Sequence, residues 1–218
     1  AAAFAFAAIP ARYALERRQW AEAAELTLHP QSLSWSKFPQ AESILWFARG
    51  LGAARGGDVA GARQAVARLE TLRDGLVAAK NAYWAAQAEI QRLAVAAWTA
   101  RAEGRHDEAL RLMRQAADRE DATEKHPVTP GAIQPAREML GELLLEAGQP
   151  GAALAEFEAS QKTDPNRFHG LAGAARAAEL AGDRATAKTH YEQLLALGKT
   201  ADTERPEIAR ARAFLAAH

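Results

Sequence analysis

The chain has 218 residues, 49% hydrophobic and 25% charged, a composition that excludes disorder over its whole length. Its 27 Lys and Arg balance its 27 Asp and Glu, so nothing marks it for a phosphate backbone and no nucleic-acid partner is expected. It has no Cys, which excludes disulfides, thiolate metal sites and Cys nucleophiles.

The opening stretch, Ala1 to Ile9, is apolar, short and without the basic leader of a signal peptide. With no initiator Met, the chain reads as the C-terminal part of something longer, cut inside a helical region. An apolar end of that kind predicts self-association through the N-terminal side. No apolar run approaches the roughly 20 residues of a membrane-spanning helix, so no membrane partner is expected. A soluble cytoplasmic or periplasmic chain fits equally.

Apolar periodicity predicts helices over about 4–18, 20–28, 40–55, 58–79, 82–103, 107–120, 131–147, 150–162, 167–181, 184–197 and 204–217, and no convincing strand. Gly57-Asp58 and Gly182-Asp183 place a glycine where one helix ends left-handed and an aspartate where the next begins. Gly104-Arg105-His106-Asp107 plays the same part with a later cap. The final helix carries Pro206 in its first turn, where a missing N–H does no harm, and is expected to cap the preceding pair.

Gly148 and Gly182 lie 34 residues apart. Around them the sequence reads Arg137-x2-Leu140-Gly141-x2-Leu144, Ala153-x3-Phe157 and Pro165, then Leu171-x2-Ala174-Ala175-x2-Ala178 and Ala187-x3-Tyr191. Weaker copies carry Leu93, Ala96, Ala97 and Ala100 with Ala109-x3-Met113, and Trp46, Arg49, Gly50 and Ala53 with Ala62-x3-Val66. A degenerate first copy spans Phe4 to Leu28. Period, spacing and residue size resemble the tetratricopeptide repeat. The segment Glu120–Gly131, Pro135–Glu138 and the run Ile9–Arg17 resemble, over nearly the whole chain, the C-terminal half of a bacterial tetratricopeptide family of unassigned function.

The resemblance implies an all-α, right-handed superhelix of antiparallel helix pairs with a C-terminal capping helix. It forms one domain over 1–218, with units at about 4–28, 40–79, 82–120, 131–163 and 167–198 and the cap at 204–217. Small residues would sit where backbones approach and large ones such as Phe157 and Tyr191 would fill the gaps.

In that fold the first helix of each pair lines a concave groove. Phe47, Leu51, Gln91, Trp98, Arg101, Glu138, Glu142, Arg176 and Glu179 would then point inward. The groove reading gives a protein- or peptide-binding scaffold whose contacts are Trp98, Arg101, Glu138, Glu142, Arg176 and Glu179. The insert 120–131 offers a rim with Lys125 and His126, or a rigid connector whose acids pair with nearby arginines. Arg137 stands where a bulky aromatic usually wedges, so a partner among Glu120, Asp121 and Glu124 is expected. Core filling is the better reading of Trp20, Trp46, Trp84 and Trp98, with Trp35 partly exposed in its loop.

No metal site is expected, because no two of the six histidines stand at i, i+4. No G-x-S-x-G elbow, phosphate-binding loop or dinucleotide fingerprint occurs either. The chain reads as a non-enzyme without cofactors. The alternative is a regulatory or accessory segment of a larger enzyme whose chemistry lies upstream. A hydrolase built on His126 and the insert's acids is the weakest reading.

Overall fold

The computed structural model describes residues 2–124, 131–203 and 205–217. Among these the chain forms eleven α-helices and no strand. It divides into two compact units, Ala1–Ala136 and Arg137–His218.

The first unit holds α1 (Ala2–Glu16), α2 (Trp20–Ala24), a 3-10 turn (Trp35–Lys37), α3 (Pro39–Gly56), α4 (Val59–Ala78), α5 (Ala82–Ala102) and α6 (His106–Asp121). Neighbours along the chain pack together: α2 on α3, α3 on α4, α4 on α5 and α5 on α6, with α1 and α5 also lying on α3. Small residues permit these approaches. A Cβ on Gly52 would meet the α2 backbone, at 2.5 Å from both Ala24 N and Trp20 O. A Cβ on Gly50 would overlap Val95 of α5 and Ala65 of α4. Ala62, Ala65, Ala94, Ala97, Ala109 and Ala116 are fully buried or nearly so.

The second unit continues α7 (Ala136–Glu146) from the last residue of the first, then α8 (Pro150–Thr163), α9 (Phe168–Ala181), α10 (Arg184–Leu197) and α11 (Pro206–Ala216). Phe157 of α8 fills the space left by two glycines: a Cβ on Gly141 of α7 would come 2.8 Å from its ring, and one on Gly173 of α9 would overlap it further. Leu171, Ala175, Ala178, Tyr191 and Leu194 form the next layer, to which α11 adds Ile208 and Ala211. The rings of Tyr191 and Phe214 lie 4.9 Å apart.

One turn recurs. Arg18, Gly57, Lys80, Gly104, Gly148 and Gly182 all have left-handed backbone, with φ between 54° and 88°. In each case the next residue donates its N–H to the carbonyl five positions back: Gln19 to Ala14, Asp58 to Ala53, Asn81 to Leu76, Arg105 to Ala100, Gln149 to Leu144 and Asp183 to Ala178, at 2.8–2.9 Å. That bond closes the helix end. The next helix opens two residues after the left-handed one every time. Asp58 and Asp183 then cap as the sequence predicts, accepting from Gly61 N at 2.9 Å and Thr186 N at 3.0 Å. The turn at Gly104 differs from expectation. Arg105 holds the cap position without a side-chain cap bond, and Asp107 falls inside the first turn of α6.

Two helix bounds shift for physical reasons. The helix predicted from 131 begins at Ala136, because Pro135 disfavours helical backbone at Gln134 and the Ala136 N–H donates to the Glu120 carboxylate at 2.7 Å. The helix predicted over 20–28 stops at Ala24. The Leu26 carbonyl turns out to accept from Arg49 of α3.

No helix among the described residues is long and apolar enough to cross a membrane.

Candidate functional site

In the first unit, Trp98 does not line an open surface. It is buried on α5, with the Arg55 guanidinium 3.9 Å from its ring centroid and the same guanidinium 4.7 Å from the Trp20 ring. An arginine of α3 is thus held between indoles of α5 and α2. A guanidinium there gains cation–π attraction that dehydration strengthens. Arg101, one turn further on α5, is half-buried. Phe47 and Leu51, also expected to point inward to the groove, are core residues of α3. Their apolar side chains gain more by burial than on a wet face.

Trp35 corrects another expectation. It is buried, and its indole N–H donates to the Pro30 carbonyl at 3.1 Å. The loop folds back to satisfy the one polar atom of the ring. Trp46 and Trp84 are half-buried: the first donates to Glu42 at 3.1 Å, and the second packs against Phe4 and Tyr83.

In the second unit, the expected contacts fall into two clusters. Glu138 is fully buried on α7, and Arg167, just before α9, grips its carboxylate with two bonds at 2.9 and 3.2 Å. Burial pushes the Glu138 carboxyl up despite that guanidinium, and the charge of Glu142 pushes the same way. Glu142, one turn along α7, is buried too. His169 of α9 is buried nearby in sequence, with Nδ1 3.8 Å from a Glu207 oxygen of α11.

The other cluster is more open. Arg176 and Glu179 pair on α9 at 2.9 Å, and Glu179 accepts from the Tyr191 hydroxyl at 2.6 Å. Burial alone would raise Glu179, but the Tyr191 hydrogen bond and the Arg176 pair outweigh it and hold it below the usual carboxylate range. Tyr191 is driven up in turn, by burial first and then by Glu179.

Arg137 pairs with Glu156 of α8 at 2.6 Å and is only partly buried. Glu156 lies across the helix pair from it. Of the insert's acids, Glu120 accepts from the Ala136 N–H. Lys125 and His126, the expected rim, lie outside the described residues.

Sequence reasoning misses Arg55 and Arg167. Nothing local marks either: each takes its meaning from a partner more than 25 positions away in the chain. On α1, Phe6, Ile9 and Tyr13 are exposed at spacings of three and four, which puts one apolar stripe on the outward side. Among the described residues no three His, Asp or Glu side chains gather as a metal site requires.

No protein-family model matches the chain, and no curated protein matches it either.

Proposed function

We propose that the chain is a tetratricopeptide-type helical-repeat scaffold of the bacterial family its sequence resembles, that it binds a protein or peptide, and that it is not itself an enzyme. The observation that carries this reading is the turn repeated at Arg18, Gly57, Lys80, Gly104, Gly148 and Gly182, with the same hydrogen bond and the same two-residue step into the next helix. A helix pair built this way cannot bury its apolar face alone, so stacking is its purpose and an extended surface its product. The step from that architecture to binding is analogy, because repeat folds serve many partners.

The expected contacts differ in exposure. Arg101, Arg176 and Glu179 remain partly accessible and can meet a ligand. Trp98, Glu138 and Glu142 sit beneath the surface and shape it. Capture of a binding protein on the immobilised chain should therefore be lost with Arg101→Glu or Arg176→Glu, each verified as folded by circular dichroism. Equal capture by both variants and the parent chain would remove these side chains from the binding surface.

The stripe of Phe6, Ile9 and Tyr13 supports self-association through α1. Sedimentation should show a concentration-dependent species that Ile9→Glu abolishes. A monomer at every concentration would rule it out.

A further inference from the structure

In the first unit, α4 and α6 both pack along α5 but scarcely touch each other. The gap between them is a cleft of about 170 Å³ with α5 as its floor. Val66, Ala96 and Leu112, all half-buried, give it apolar walls. Thr99 also lines it, but its hydroxyl donates to the Val95 carbonyl at 2.8 Å, so the floor offers a ligand no free donor. An apolar space of about 150 Å³ takes a benzene-sized group. This one has room for a single aliphatic or aromatic side chain.

The rim is charged, and unevenly exposed. Glu103 accepts from both Arg63 and Arg105 and is only 10% exposed beneath them. Arg63 is 70% exposed and Arg105 49%. Arg105 also reaches Glu108, which Arg111 approaches at 3.9 Å. Glu103, which organises the rim, is thus covered, while the exposed Arg63, Arg105 and Arg111 outnumber Glu108, the other acid at the surface. A partner approaching the cleft meets cations first and an apolar floor below them.

We propose that this cleft is a docking site for one large apolar side chain, Leu, Ile or Phe, carried on an acidic segment of a partner protein. The side chain fills the space over Ala96, between Val66 and Leu112. Its flanking carboxylates take the outward N–H groups of Arg63 and Arg105, which keep Glu103 as a second partner. Charge selects the segment, and the buried anchor supplies the affinity. This goes beyond the scaffold reading: the cleft lies between α4 and α6 and does not include Arg101, Arg176 or Glu179, so either surface can fail without the other.

The test uses methyl NMR of the whole chain, following Val66 and Leu112, with three capped pentapeptides as probes: EELEE, EEAEE and KKLKK. EELEE should shift both methyl sets in a saturable way at millimolar concentration. EEAEE and KKLKK should bind at least tenfold more weakly, and Arg63→Glu should weaken EELEE at least fivefold. Ala96→Leu should abolish the shifts by filling the floor. If that variant does not fold, the surface variant Arg63→Glu and the peptide series decide alone. No saturable shift from EELEE, or equal binding of KKLKK, overturns the proposal.

Discussion

Two carboxylates, one in each unit, show how the same chemical pair can act in opposite senses. Glu103 of the first unit lies under Arg63 and Arg105 at the edge of solvent, and its carboxyl is held below the usual range, chiefly by the Arg105 hydrogen bond. Glu138 of the second unit lies wholly inside, and a single bidentate arginine does not offset its loss of water. The first pair fastens helices that water still reaches. The second is a charge enclosed in a core, tolerated only while its partner stays. The balance between burial and the guanidiniums in reach sets the sign: two outweigh it at Glu103, and one does not at Glu138.

The hardest test of that contrast is to remove the inner guanidinium. Arg167→Met should leave Glu138 without its bidentate partner and cost about 3–5 kcal/mol in urea unfolding. Adding Glu138→Gln to that variant should restore most of the loss, since no buried charge then remains. A loss below about 1 kcal/mol for Arg167→Met would show that the pair behaves like a surface one.

The pH dependence should separate the two acids next. Glu138 has a folded value above its unfolded one, so its native state holds the proton more tightly. Its contribution is best in acid, and it is lost as pH rises from the ordinary carboxylate range through the folded value. Unfolding free energy of the parent chain relative to Glu138→Gln should fall across that window, with a limiting slope of about 1.4 kcal/mol per pH unit. Glu103 carries a depressed value, so its contribution runs the other way: present above the unfolded value and lost as pH falls. A flat difference curve for Glu138→Gln would break the comparison.

The helices were legible because their signals are local. Alternation of large and small residues, Gly57-Asp58 and Gly182-Asp183 give element, stop and start within a few positions. Arg18 and Lys80 take the same left-handed turn without glycine, and so gave no signal. The candidate contacts were legible as helix positions but not as surfaces. Trp98 and Glu138 stand at regular places on α5 and α7, yet Arg55 and Arg167 from distant elements decide that one is stacked and the other enclosed. A charged residue on a helix reads as exposed until its partner is found in space.

Glu179 stands between the extremes and sharpens the rule. It is partly buried, yet its value is depressed, because Tyr191 and Arg176 both favour the charged form. Tyr191→Phe removes the 2.6 Å bond while keeping the ring in the core. It should cost about 1–2 kcal/mol at neutral pH. Because the depressed acid contributes above its unfolded value and loses that contribution as pH falls, the cost should shrink in acid. A pH-independent cost would assign the effect to packing of the ring instead of the carboxylate.

The smallest effect belongs to the outer pair. Arg63→Ala removes one of two guanidiniums from Glu103, and Arg105 remains in place to hold that carboxylate. Arg63 is mostly in water, so the substitution should change stability by less than about 1 kcal/mol and the change should fade in high salt. Arg167→Met, whose partner lies out of solvent, should keep most of its cost in the same salt. Salt is therefore the cleanest way to tell the two pairs apart: equal screening of both variants would mean that water reaches Glu138 after all, and the distinction between rim and core would fall with it.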